Sequence, residues 1–255
     1  MKRQWVFGGF VLSLSLLFGG CASLTTPKPD PTRFYVLEPL DKGAPAPDAI
    51  YCKGVHLGVG RVELPGYLDT QKIVKFKANN EVFISEFNRW AEPLPGACER
   101  VLAANIALLT GVESIETFPW VNPSSHDFEV HTEIQSFQAN ADNVVMLEVI
   151  WRITGARGKE VYHVEISTYA KPSDGSYPGI VSAMSAAWAE CSESVARGLV
   201  QAARKKLEQM QREAMAEKEV EKDDAVIEAF EEQVDVSPKA AESSPSLKEA
   251  SSGLD

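Results

Sequence analysis

Apolar residues recur along this chain in two rhythms, and the switches between them mark out the elements. Alternation with period two argues strand, and steps of three and four argue helix. Arg33–Leu37 (RFYVL) predicts a first strand, and Gly43–Asp48 (GAPAPD) reads as a loop. Val55, Leu57 and Val59 alternate with His56, Gly58 and Gly60 in a strand over Val55–Val62 that its glycines weaken. Leu64–Asp69 turns the chain. Ile73–Phe76 and Glu81–Phe87 then predict a hairpin whose link, Ala78-Asn79-Asn80, supplies residues that tolerate positive φ. Val101, Leu102, Asn105, Ile106, Leu108 and Leu109 fall on helical spacing within Ala97–Thr110, and Gly111 ends that helix.

Beyond a short strand at Ile115–Trp120, three longer segments read as a meander: Asp127–Phe137, Val144–Thr154 and Glu160–Ala170, the last two joined by the turn Gly155–Gly158. Each alternates with one polar face, which predicts a sheet covered on one side only. The cover follows. Ile180, Met184, Ala187, Trp188, Cys191, Val195, Leu199 and Ala202 form one apolar stripe on a helix that starts near Pro178 and runs into a charged tail. The expected fold is therefore α+β: a two-layer domain over residues 33–207, with a mixed or antiparallel sheet and two main helices on one face. Residues 208–236 read as an acidic, exposed helical extension, and residues 237–255 are too polar to fold alone.

Charge sharpens this division. The 255 residues carry a formal net charge of -11, yet 14 acidic and 5 basic residues lie between Glu208 and Asp255, so the body is close to neutral. An acidic chain without a concentrated basic surface argues against nucleic acid as a partner.

The N-terminus carries the compartment signal. Lys2 and Arg3 precede an apolar run from Trp5 to Phe18, and the run ends in Leu17-Phe18-Gly19-Gly20-Cys21. A positive head, an apolar stretch and two small residues before a cysteine resemble a bacterial lipoprotein precursor. That resemblance implies a signal peptide over residues 1–20, with Cys21 acylated as the first mature residue. Several acyl chains, each buried methylene contributing about 0.8 kcal/mol, give durable attachment. Residues 21–32, with Thr25–Thr32 alternating proline and polar residues, form an expected tether. Ala22 stands where an aspartate would signal inner-membrane retention, so the expected location is the outer membrane, on its periplasmic face.

Three further cysteines remain: Cys52, Cys98 and Cys191. Cys98 and Cys191 fall in the two predicted helices and could bond if these pack side by side; equally, both could be small buried apolar residues. Catalytic and metal chemistry find little support. His131 and Glu133 share a strand face but lack a visible third ligand. No serine lies in GxSxG, no P-loop occurs, and Gly58-Val59-Gly60 lacks the third glycine and helix of a dinucleotide site. No catalytic residue, metal or cofactor is expected.

The most specific text lies between Val62 and Leu94. VELPGYLDTQKIV, EFNRWAEPL and the earlier RFYVL resemble the auxiliary lipoproteins of ABC-type transport systems, the paraquat-inducible PqiC family. The matching positions are Pro65, Tyr67, Leu68 and Asp69 in a turn, and Arg89, Trp90, Glu92 and Pro93 before the first helix. Thr70-Gln71-Lys72 and Asn88 depart from the family pattern. The resemblance implies a non-enzymatic lipoprotein that docks a periplasm-spanning MCE-domain protein, itself joined to an inner-membrane permease, for lipid transport between membranes. The motif residues are then candidate partner contacts, and a homo-oligomeric ring would suit a symmetric conduit mouth. A lipid carrier enclosing an acyl chain between sheet and helices is the alternative, and a periplasmic hydrolase a more remote one.

Overall fold

The computed structural model describes residues 29–234, with side chains through residue 228. The expected signal peptide, Cys21, the first part of the expected tether and the polar tail lie outside the described residues. In chain order the elements are β1 (Arg33–Tyr35), β2 (His56–Glu63), β3 (Lys72–Phe76), β4 (Val82–Trp90), α1 (Leu94–Thr110), β5 (Ser114–Thr117), β6 (Phe128–Ala139), β7 (Val144–Gly155), β8 (Val161–Pro172) and α2 (Tyr177–Val234). The eight strands form one mixed sheet in the order β1-β4-β3-β6-β2-β5, with β7 added on β6 and β8 on β7.

The three long strands pair antiparallel as a meander, in register from Phe128↔Gly155 to Ala139↔Val145 and from Val144↔Pro172 to Thr154↔Val161. Parallel pairing joins β2 with β5 and β6, β1 with β4, and β3 with the last residue of β6, and β3 pairs antiparallel with β4. The hairpin of β3 and β4 turns through Asn79 and Asn80, both at φ near 60°, the left-handed region that asparagine tolerates.

Both helices lie against one face, α2 on β6, β7 and β8, and α1 on β2 and β5, and they pack against each other. All eight residues of the predicted stripe on α2 are buried. Across the interface, fully buried Trp151, Phe137 and Trp188 fill the space, with the Phe137 and Trp188 rings 6.0 Å apart. The Trp188 indole donates to the Cys98 carbonyl at 3.0 Å, which ties α2 to α1 and pairs the one polar atom of that side chain, whereas the buried Trp151 Nε1 meets no hydrogen-bond partner.

Some boundaries differ from the sequence expectation. A 3-10 turn over Pro47–Cys52 stands at the end of the expected loop, burying Ala49 and Cys52 under α2. β5 stops at Thr117, although the Phe118 N–H still donates to the Val59 carbonyl of β2 at 2.9 Å; the Phe118-Pro119 peptide that follows is cis. α1 begins at Leu94, just after Pro93, and ends as expected at Gly111, whose φ of 69° fits the left-handed cap. α2 continues for 58 residues, about 87 Å of helix, and its described side chains are all exposed beyond Glu208. Among the described residues no helix is long and apolar enough to cross a membrane.

Candidate functional site

The structure separates the motif residues by role. In the turn after β2, the Leu68 N–H donates to the Pro65 carbonyl at 2.9 Å and the Leu68 side chain enters the core. Tyr67 lies beside Phe76, ring centroids 5.8 Å apart, and its hydroxyl donates to Gln138 Oε1 at 3.1 Å. Burial raises the Tyr67 pKa, so the phenol stays a neutral donor. Asp69 is exposed.

At the end of β4, Trp90 is 3% exposed and belongs to the core, with its N–H on the Gln71 carbonyl. Glu92 accepts from Arg100 at 2.5 Å, and the same guanidinium donates to the Leu37 carbonyl at 3.2 Å. Pro93 is exposed just ahead of α1. Trp90, Leu68, Glu92 and Tyr67 are thus explained by folding, whereas Pro65, Asp69, Arg89 and Pro93 reach the surface. Arg89 is different again: it is half-buried, its Nε meets no hydrogen-bond partner, and no salt bridge holds it among the described residues.

Cys98 and Cys191 are both fully buried and both free thiols, as is Cys52. Burial pushes the Cys52 thiol up to about 11, the Cys191 thiol up to about 12, and Cys98 well above the ordinary value, with the neighbouring Cys191 adding to the last. Such thiols are poor nucleophiles at neutral pH.

A polar cluster that sequence periodicity does not reveal sits on the other face of β2 and β6. His126, buried, meets Glu116 at 2.8 Å; Glu129, also buried, approaches His131 at 3.4 Å; and the Trp120 ring stands edge-on between the two imidazoles, centroids 5.0 and 6.2 Å away. The Val121 N–H and His126 hold the Glu116 carboxyl below its usual range. Gly58 and Gly60 are the sequence signal for this cluster. A Cβ at Gly58 would stand 2.5 Å from the His126 ring, and one at Gly60 3.0 Å from the Val130 carbonyl, so the glycines admit close packing. Glu133 does not join His131: it is exposed and accepts from Gln135 at 2.6 Å. Among the described residues no group of three or more His, Cys, Asp or Glu side chains is placed to hold a metal ion.

Surface chemistry is most unusual on β8. Register places His163, Glu165, Ser167, Tyr169 and Lys171 opposite the buried Ile153, Trp151, Val149, Leu147 and Val145, so these polar residues face the helix layer. Tyr169 donates to Ser194 at 3.0 Å and Lys171 pairs with Glu190 at 3.0 Å, both on α2. Val164, Ile166 and Ala170 therefore point outward, Ile166 at 77% exposure, beside Ile150 and Met146 of β7. Among the described residues β8 pairs only with β7, so its twelve-residue strand has one edge without a strand partner there.

Comparison with known proteins places these features in a family. The sequence model for the ABC-type transport auxiliary lipoprotein component matches residues 35–196. The chain belongs to this family. The match contains the turn motif, the β4 motif, the polar cluster and β8, and it ends within the packed part of α2. No curated protein matches the chain. A solved protein from Xanthomonas campestris shares the fold at 14% identity, with a TM-score of 0.57 and coverage of 70% of this chain and 99% of that one. A second solved structure, of an uncharacterized protein, is similar at 18% identity and TM-score 0.53, covering 66% of this chain and 98% of the other.

Proposed function

We propose that this member of the transport auxiliary family is an outer-membrane lipoprotein, acylated at Cys21. In this reading it docks the distal end of a periplasmic MCE-domain conduit driven by an inner-membrane ABC permease. Residues 1–20 are then the cleaved signal, 21–32 the tether, 33–207 the docking domain, 208–236 a helical extension and 237–255 a tail. The body offers shape to a neighbour rather than catalysis.

The open edge and outward apolar face of β8 carry this reading. An exposed apolar stripe beside an open edge is a template for pairing with another chain, and the outward positions Val164, Ile166 and Ala170 of β8 form one, with Val164 and Ile166 more than half exposed. Strand addition along the edge would satisfy its free backbone groups while a partner's apolar side chains cover Val164 and Ile166. The lipid-carrier alternative has less support, because Trp151, Phe137 and Trp188 occupy the layer between sheet and helices where an acyl chain would lie.

A photo-crosslinking residue placed at Ile166 in the full chain tests the proposal in cells. Adducts with an MCE-domain protein, lost in an Ile150→Asp background that retains the wild-type melting curve, are the expected result. Efficient crosslinking controls with no adduct from position 166 contradict it.

A further inference from the structure

The opposite end of the sheet, at β1, β4 and β3, carries the second unusual surface. Phe34 is 63% exposed, and Phe83, Ile84 and Phe87 on β4 are each more than two-fifths exposed. Basic residues are interleaved with them. Phe34 and Lys72 are both register partners of Arg89, Lys75 is the partner of Phe83, and the Lys77 ammonium lies 5.6 Å from the Phe83 ring. On the three strands Arg33, Lys72, Lys75 and Arg89 stand against one acidic residue, Glu86, with the Lys75 ammonium donating to Asn143 Oδ1 at 3.3 Å and lying 6.0 Å from the Tyr177 ring. Lys77 pairs with Glu81, and Asp30 lies near Arg89 without forming a salt bridge. In a chain of net charge -11, this is a local reversal of sign.

We propose that this corner is the face with which the domain rests on an anionic phospholipid bilayer. Aromatic rings among basic side chains suit the headgroup layer: the rings enter the acyl boundary while ammonium and guanidinium groups remain with phosphates. Arg89 fits that role through its register neighbours, Phe34 and Lys72, and through the absence of any salt bridge to it among the described residues; its Nε is itself buried. Position along the chain agrees. Cys21 precedes Arg33 by twelve residues, at most about 43 Å of extended chain, so an anchor at Cys21 holds β1 within reach of the surface. The acidic C-terminal segment is repelled by the same surface, which orients the domain with this corner inward. This part of the argument rests on the acylation reading; the composition of the corner does not.

The test uses the full mature chain reconstituted in vesicles of equal parts phosphatidylcholine and phosphatidylglycerol. An environment-sensitive fluorophore is attached at Phe34→Cys, at Phe87→Cys and, as a distant reference, at Ile166→Cys. Cys52, Cys98 and Cys191 are buried and do not compete for label, and Cys21 is blocked wherever it is acylated. Flotation of the same samples and their intact mass report the anchor separately. The expected result is blue-shifted emission, quenched by nitroxide-bearing lipid, from positions 34 and 87 but not 166. Each of Lys72→Glu and Arg89→Gln reduces the inserted fraction's equilibrium constant by about fivefold or more, and so does pure phosphatidylcholine. Chains that float while positions 34 and 87 remain as water-exposed as 166 overturn the face and leave the anchor intact. Unacylated chains that float on the anionic vesicles alone, with 34 and 87 buried, overturn the anchor and support the face. Unacylated chains that do not float overturn both.

Discussion

Asn105 of α1 and Ser192 of α2, both fully buried, are joined by a 3.1 Å hydrogen bond from Nδ2 to Oγ. The same amide accepts from the Leu40 N–H at 2.8 Å, so one side chain fastens both helices and the connection leaving β1. Asn105→Ala strands the Leu40 donor and opens a void, at a cost of roughly 2–3 kcal/mol. Chemical denaturation with unchanged m-value and a lowered midpoint is the expected outcome.

Gly198 and Gly96 make a matched pair. Alanine favours a helix by about 1 kcal/mol over glycine at either position. At Gly198, however, the added Cβ lands 2.8 Å from the Trp151 ring and 3.2 Å from Ile153, whereas at Gly96 nothing lies within 4 Å. Overpacking against a rigid indole costs about 1–3 kcal/mol, so Gly198→Ala lowers the melting temperature while Gly96→Ala raises it.

Acid should loosen α2 through Asp127. Burial pushes this carboxyl up, but the His56 N–H at 3.0 Å and the Lys206 ammonium at 2.9 Å outweigh it and hold the pKa below the usual range. A lowered folded value means that the unfolded chain binds the proton more tightly. The stabilisation is therefore complete above the unfolded value of roughly 3.9 and is lost as pH falls through the folded one. Asp127→Asn should flatten the stability profile in that acid window and leave its shape near neutrality unchanged.

Thiol counting examines the cysteines and the anchor together. Native protein at neutral pH should show no fast-reacting thiol, since burial raises all three described ones. After denaturation without reductant, three reactive thiols mean free Cys52, Cys98 and Cys191 with Cys21 blocked by acylation. Four mean that Cys21 is unmodified, and one means that Cys98 and Cys191 have bonded.

Local periodicity made much of this fold legible. The α2 stripe from Ile180 to Ala202, the Gly111 cap and the Asn79-Asn80 turn all follow from residues adjacent on one element or turn. Parallel pairing of β2 with both β5 and β6 joins segments more than fifty residues apart, and no local pattern encodes it. The polar cluster escaped for a related reason: Glu116, Trp120 and His126 come from irregular or short segments, and Gly58 and Gly60 look like weaknesses until their neighbours are known. β8 is the instructive case. Its alternation was legible, but assigning the polar face to solvent, the ordinary rule, would invert it, because Tyr169 and Lys171 are satisfied by Ser194 and Glu190 of α2. The family motif residues were likewise visible as text, while only the structure separates Trp90 in the core from Arg89 at the surface.

Intact-mass analysis of the complex extracted from outer membranes tests the central claim most directly. The account predicts a polypeptide beginning at Cys21, heavier than its sequence by a diacylglycerol and an acyl chain, and associated with an MCE-domain protein. A chain that retains residues 1–20, carries no acyl mass and brings no such partner would contradict it.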